Sequence, residues 1–365
     1  MSYVPKPAPR LVALVAGVVA AAMTAMAPPA AAASSTTLVD GLDGPRGLGV
    51  GPHGRIVVGQ GDGTIGYVKD GALVKLGKVP ASFIAPAVSV GHDSKVYVLT
   101  AGGPPGSGAA TLYRLRENGT TVTLADIAAY QATDPDPFNV DSEPPEESNP
   151  FGVAALPDGS VLVSDAAAND LLRVWPDGEI VTVARIKPRV VAVPEELPDK
   201  DPATGEPLPP AGTMIPSEGV ATSVTVGADG YYYVGELRGF PATPGTSQVW
   251  RIAPDSVNAL CDPAAPAAGA CQRYADGFTS IVDLAAGDDG SIYVVELVQQ
   301  SWLQWEFELV DPPLGGLFRI APEKAVSELL AGKLILPGGT ELNRNGKPLA
   351  TGPVFGPGAV QRVNG

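Results

Sequence analysis

The chain has 365 residues, with 39 acidic against 24 basic side chains, a net charge of −15, two histidines and two cysteines. So acidic a balance argues against nucleic acid and anionic membrane as partners. A pair of cysteines is too few for a soft metal site, and the length exceeds a typical single core, so either two domains or one closed repetitive architecture is expected.

At the N-terminus, Lys6 and Arg10 precede an apolar run over residues 11–27, and "APPAAAASS" then offers small-residue cleavage sites ending at Ala32 or Ala33. We expect residues 1–33 to be a signal peptide and residues 34–365 to be one exported, monomeric domain. A retained anchor is the rival, but the run is short, Ala-rich and followed by Pro28 and Pro29. Cleavage would leave 22 basic residues against 39 acidic ones, a net of −17.

Beyond the leader, one pattern recurs six times: an apolar strand, a tight turn ending in Gly or Ser, and a second apolar strand. The copies are "GLGVGPHGRIVVGQ" (47–60), "AVSVGHDSKVYVLT" (87–100), "GVAALPDGSVLVSD" (152–165), "SVTVGADGYYYVGE" (223–236), "DLAAGDDGSIYVVE" (283–296) and "GTELNRNGKPLATG" (339–352). Asp-Gly and Asn-Gly supply the positive φ of hairpin turns, and Val, Ile and Tyr favour strands. The sixth copy is degraded, with Pro348 at a strand position. A second hairpin follows each copy, as in "LLRVWPDG" (171–178) and "VWRIAPDS" (249–256), and a fourth strand follows its turn, as in "ALVKLGKV" (72–79) and "EIVTVARI" (179–186). In the fourth repeat that strand is placed in a Cys-containing segment after residue 258. The sixth repeat lacks its fourth strand, and "STTLVDGL" (35–42) matches it from the other end of the chain. The pattern predicts an all-β, six-bladed β-propeller of four-stranded antiparallel blades, closed by the N-terminal strand.

Strand direction alternates, so links between strands one and two and between three and four share one face, which is predicted to hold only tight turns. The other face takes the long insertions: residues 101–110, 128–148, 187–219, 237–247 and 297–316. Long loops gathered on one rim point to a working face. Second strands end there at Gln60, Thr100, Asp165, Glu236, Glu296 and Gly352. Asp165, Glu236 and Glu296 around one axis, with Asn149 beside them, form an oxygen-only set suited to Ca²⁺ or another divalent cation. The competing account is a hydrated rim whose side chains cap loop backbone. The acidic segment 128–148 has no EF-hand spacing.

Trp302, Trp305 and Phe307 fall in the blade-five insertion, where they would either stack on a ligand or anchor their own loop over the propeller mouth. Arg114, Arg173, Arg251, Arg319 and Arg362 share one repeat position and read as structural. Cys261 and Cys271 read as one local disulfide of an exported protein. His53 and His92 lie in tight turns of the opposite face, which leaves the channel without a His base, and there is no nucleophile elbow, HExxH or phosphate loop.

The stretches "ESNPFGVAALPDGSVLVSDAAANDLLRV" (147–174), "VATSVTVGADGYYYVGELRGFP" (220–241) and "VWRIAPD" (249–255) resemble the ScyD/ScyE family of secreted propeller proteins, over about residues 36–335. The resemblance implies this fold and export, and no settled activity. The sixth repeat departs from the family's Gly-Pro-Asp-Gly pattern. More distantly, the chain resembles propellers of NHL-type repeats and the gluconolactonase/regucalcin group, whose metal-dependent lactonases use carboxylate and Asn ligands near the channel. Two functions are therefore expected to compete. One is a secreted binding or scaffold module that presents its long-loop face to a glycan, a protein or a small metabolite. The other is a metal-dependent lactonase or hydrolase at the channel mouth.

Overall fold

The computed structural model describes residues 33–103 and 106–364, so the expected leader over residues 1–33 lies outside the described residues except for Ala33. Six four-stranded antiparallel sheets form the blades of a β-propeller. Their innermost strands are Leu48–Val50, Ala87–Val90, Pro150–Ala155, Ala221–Val226, Ile281–Ala286 and Gly339–Leu342. Each touches the next, and the last touches the first, so the ring is closed.

Closure is covalently discontinuous. Ser34–Asp43 pairs antiparallel with Pro357–Asn364, from Ser34 opposite Asn364 to Asp43 opposite Pro357, and completes the sixth blade as its outer strand. The Asn364 side-chain amide adds a hydrogen bond to Thr36 Oγ1 (2.9 Å). Pro348 is tolerated because it begins its strand, Pro348–Gly352, where no ladder donor precedes it.

The core is divided among the six blade–blade seams. Val57 and Ile65 pack on Val88 and Val98, Leu99 and Leu112 on Val163 and Leu172, and Leu162 and Ile186 on Val234 and Trp250. The remaining seams continue this order, and the last joins Val39 and Val360 to Leu48 and Val58. Because each blade is covered on both faces, the second strands Val161–Asp165, Tyr232–Glu236 and Ile292–Glu296 are buried at every residue. This explains their near-continuous apolar character.

Around the axis the innermost strands crowd. Gly47, Ala87, Gly152, Ser223, Asp283 and Gly339 hold one repeat position. A Cβ on Gly47 would lie 2.2 Å from the Pro86 carbonyl oxygen, and one on Gly339 would lie 2.2 Å from that of Arg46. Small residues are therefore a steric requirement here, and Asp283 is the exception. An extra residue bulges the innermost strand at Phe151, Thr222 and Val282 in blades three, four and five.

The turn face is not free of long links. Residues 253–270 separate the third strand of blade four, Ser247–Ile252, from its outer strand, Cys271–Phe278. Within that link Ala259–Cys261 pairs parallel with blade three's outer strand, Ile180–Ile186, as a fifth strand. The Cys-containing segment thus serves two blades, and the Cys261–Cys271 disulfide staples them together. Closing a loop of sequence separation 10 constrains the unfolded chain by about 2.5 kcal/mol. The double variant Cys261→Ser, Cys271→Ser should lower chemical-denaturation stability by about that amount, and unchanged stability would mean that the staple is redundant with the strand pairing.

Candidate functional site

Asp165, Glu236 and Glu296 occupy equivalent places, opposite Pro150, Ala221 and Ile281 of their own blades. Each is consumed locally. Asp165 is fully buried. Its Oδ1 accepts from the backbone N–H groups of Asn149 (2.7 Å), Ala167 (3.1 Å) and Ala168 (3.3 Å), and its Oδ2 accepts from Ser148 Oγ (2.6 Å). These bonds cap the start and end of blade three's loops. Asn149 Oδ1 in turn accepts from the Gly102 N–H (3.0 Å), tying the blade-two insertion to blade three.

Glu236 is the counter-ion of Arg238, and the pair is inaccessible to solvent. Its other oxygen accepts from Trp250 Nε1 (3.1 Å). Arg238 Nη1 donates to the carbonyls of Ser217 and Glu218 (both 3.1 Å), and Nη2 donates to that of Thr246 (3.2 Å). One guanidinium therefore holds the end of insertion 187–219 to the loop 237–247. Burial raises the Glu236 pKa, and the Arg238 charge opposes that rise. Glu296 Oε1 accepts from the Thr279 N–H (2.6 Å), and burial with Glu328 nearby pushes its pKa up to about 8.

The three acids and Asn149 are thus not gathered into a metal site. Among the described residues no group of three or more His, Cys, Asp or Glu side chains stands close enough to hold an ion. The loop-capping account of these positions fits their partners, because equivalent residues of successive blades are spread around the ring.

Sequence reasoning missed the side chains that do face the channel. Arg46 crosses its mouth, donating to the carbonyls of Ala85 (3.0 Å) and Phe151, with its guanidinium 3.6 Å from the centre of the Phe151 ring. Asp283 and Glu341 line the channel behind it. Enclosure by the ring pushes each carboxyl up to about 7, with Arg46 drawing Asp283 down and Asp283 raising Glu341. The available signal was an acid in a column of small residues: Asp283 aligns with Gly152, and Glu341 aligns with Ala154. The channel encloses about 60 Å³, room for a water molecule or two. On the turn face it widens to an open funnel of about 870 Å³, lined by turn residues that include His92, Asp288, Asp289 and Arg344, with Glu341.

The long-loop face carries a different hollow, a cleft of about 390 Å³. Segment 128–148 contributes Val140, Asp141, Glu143 and Glu147, insertion 187–219 contributes Pro216 and Glu218, loop 237–247 contributes Phe240, and the blade-five insertion contributes Trp302. Val140 and Phe240 are exposed. Trp302 begins the helical turn Trp302–Glu306, capped by Ser301, and its Nε1 donates to the Arg238 carbonyl (2.9 Å). Trp305 faces away from this cleft and stacks on Phe355, ring centres 5.5 Å apart. Of the two tryptophans, Trp302 alone lines the cleft, and both help to anchor their insertion.

The repeated arginines stay within their blades. Arg173, Arg251 and Arg319 pair with the turn aspartates Asp158, Asp229 and Asp289, at 2.5, 2.8 and 2.9 Å. His53 and His92 are exposed in their turns.

No protein-family model and no curated protein sequence matches the chain. Among solved structures it is similar to a PQQ-bound aldose sugar dehydrogenase from Streptomyces coelicolor (16% identity, TM-score 0.53, 93% of this chain and 100% of that one). It is also similar to a gluconolactonase from Xanthomonas campestris (10% identity, TM-score 0.55, 91% and 89%) and to a glucose dehydrogenase (13% identity, TM-score 0.57, 91% and 99%). At these identities the likeness is one of fold, a β-propeller.

Two outcomes follow from the buried charges. Replacing Arg238 by Met should leave Glu236 unpaired in the interior and destabilise the protein by ~3–5 kcal/mol, measured by denaturant melts, and a smaller loss than Arg189→Met would show that the pair does not hold the loops. Glu296, at about 8 in the folded state against an ordinary 4.5, binds a proton that the unfolded chain has released. Its stabilising effect is full below the unfolded value and drains as pH rises through 8. Melting temperature should therefore fall between pH 5 and 8.5, and Glu296→Gln should flatten that fall by about 2 °C or more; parallel curves for the two proteins would contradict the assignment.

Proposed function

We propose that the protein is an exported β-propeller that binds a ligand in the long-loop cleft and works as a binding module rather than through channel chemistry. The observation that carries this is convergence. Insertions from four separate places in the chain meet in one cleft with exposed apolar and aromatic walls, whereas on this face the channel mouth is crossed by Arg46 and encloses only about 60 Å³ behind it. Loops that long and that well anchored cost ordering entropy, which a purely structural rim has no need of. Export and kinship with ScyD/ScyE propellers belong to the same proposal, supported by the leader-like residues 1–33 and by the stretches at 147–174 and 220–241.

The hydrolase reading keeps one specific support. Asp283 and Glu341 titrate near 7, the range in which a carboxyl serves as general acid or base, and Glu341 is reached from the turn-face funnel. That reading would put the substrate on the opposite face from the cleft. The fold it shares with a gluconolactonase is compatible with it.

A thermal-shift screen of saccharides, lactones, amines and short peptides separates the two. Hits for the cleft should disappear in Phe240→Ala and persist in Glu341→Gln. Lactone turnover lost in Glu341→Gln and unaffected by Phe240→Ala would replace the binding reading with the hydrolase one.

A further inference from the structure

The cleft's lining has an unbalanced chemistry. Its titratable side chains are Asp141, Glu143, Glu147 and Glu218, and no Lys, Arg or His is among them. Neighbouring cations are committed elsewhere: Arg238 to Glu236 and three carbonyls, Lys187 to Asp262 (2.7 Å), and Arg185 to Asp134 (2.6 Å). Three side-chain hydrogen-bond donors in the lining are engaged by main-chain carbonyls. Asn139 Nδ2 donates to Glu143 (2.7 Å), Ser217 Oγ to Gly239 (2.9 Å) and Trp302 Nε1 to Arg238 (2.9 Å).

Acceptors, by contrast, are in excess. Glu218 Oε1 accepts from the Val140 N–H (2.9 Å) and the carboxyl is also bonded by the Asn169 side chain, while the Asp141 charge opposes it. Asn169, whose side chain lies against the Glu218 carboxyl, is 2% exposed, and its Oδ1 has no hydrogen-bond partner. Burial, and after it the charges of the neighbouring acids, holds Glu147 and Glu218 above the usual carboxylate range. Beside the acids, Val140, Leu237, Phe240 and Trp302 offer an apolar and aromatic wall.

A site with free acceptors, few free side-chain donors and a net negative lining selects against two ligand classes. An anion meets only like charge, and a neutral saccharide leaves its own acceptors unpaired and desolvated. A donor-rich cation satisfies the carboxylates, and an aromatic ring next to it gains from the positive charge. We infer that the cleft binds an organic cation, an ammonium or guanidinium head on an apolar or aromatic stem, with the head among Glu147, Glu218 and Asp141 and the stem against Phe240 and Trp302. This inference rests on the cleft being the binding site.

The test uses calorimetric titration of the purified protein with phenethylamine, hexylamine and agmatine, and with 2-phenylethanol and 3-phenylpropionate as neutral and anionic counterparts of the first. Phenethylamine should bind at least tenfold more tightly than either counterpart. The gap should close in Glu147→Gln, Glu218→Gln, where each Gln keeps an acceptor oxygen and so spares the Val140 bond. Phe240→Ala should weaken the aryl amine more than agmatine. Equal binding of 2-phenylethanol, or no heat with any of the three cations, overturns the inference. A saccharide or anion hit that depends on Phe240 would overturn it while leaving the cleft as the binding site, whereas an amine response indifferent to Phe240→Ala and to the paired Gln variant would overturn both.

Discussion

The pairing of the two ends of the chain, Ser34–Asp43 against Pro357–Asn364, is the contact on which the rest of the molecule depends. Each blade buries its faces only against its two neighbours, so an open ring would leave two apolar seam surfaces and two unpaired strand edges in water. Closure makes six seams out of five. It also sets the radius of the inner wall, and that radius explains why Gly47, Gly152 and Gly339 carry no side chain and why Asp283 and Glu341 are forced to project into a narrow enclosed space. Their raised pKa values follow from the ring's geometry, since carboxyls held there lose solvent whatever their role.

Over this frame the insertions are fastened by buried polar contacts. Glu236 and Arg238 sit two residues apart on blade four, and the guanidinium reaches backwards to residues 217 and 218 and forwards to residue 246. A buried ion pair contributes little net stability by itself. Its effect here is positional, because the carbonyls it gathers belong to the walls of the cleft. Asp165 does the same for blade three through four donors, and Trp302 fastens the blade-five insertion to Arg238 from above. Acids that align in the repeats thus act through the loops that they hold. The groups with unspent acceptors are irregular ones, Asp141, Glu147 and Glu218, on segments that no repeat predicts.

The propeller was legible because turn chemistry and strand patterning repeat. Six Gly- or Ser-ended turns, four of the fourth strands and the N-terminal closing strand appear within a residue or two of their expected places; blade four's outer strand starts only at Cys271, and blade five's runs on to Ile335. The fifth strand of blade three was not legible, since three residues, Ala259–Cys261, pair with a strand more than seventy positions earlier and carry no periodic signal of their own. The alignment of Asp165, Glu236 and Glu296 was correct as register, and misleading as chemistry. Equivalence by repeat spreads residues around an axis, and convergence requires that they differ.

Sequence by itself determined the local terms: strands from Val, Ile and Tyr runs, turns from Asp-Gly and Asn-Gly, the acidic balance, and the count of blades. These depend on residues near one another in the chain. Tertiary structure alone decided which insertions meet, that Arg46 crosses the channel, and that the cleft's lining gathers four carboxylates with no basic side chain among them. Those outcomes depend on distances between segments up to a hundred residues and more apart, set by how rigid blades aim their loops, and no spacing rule in a single chain encodes such distances.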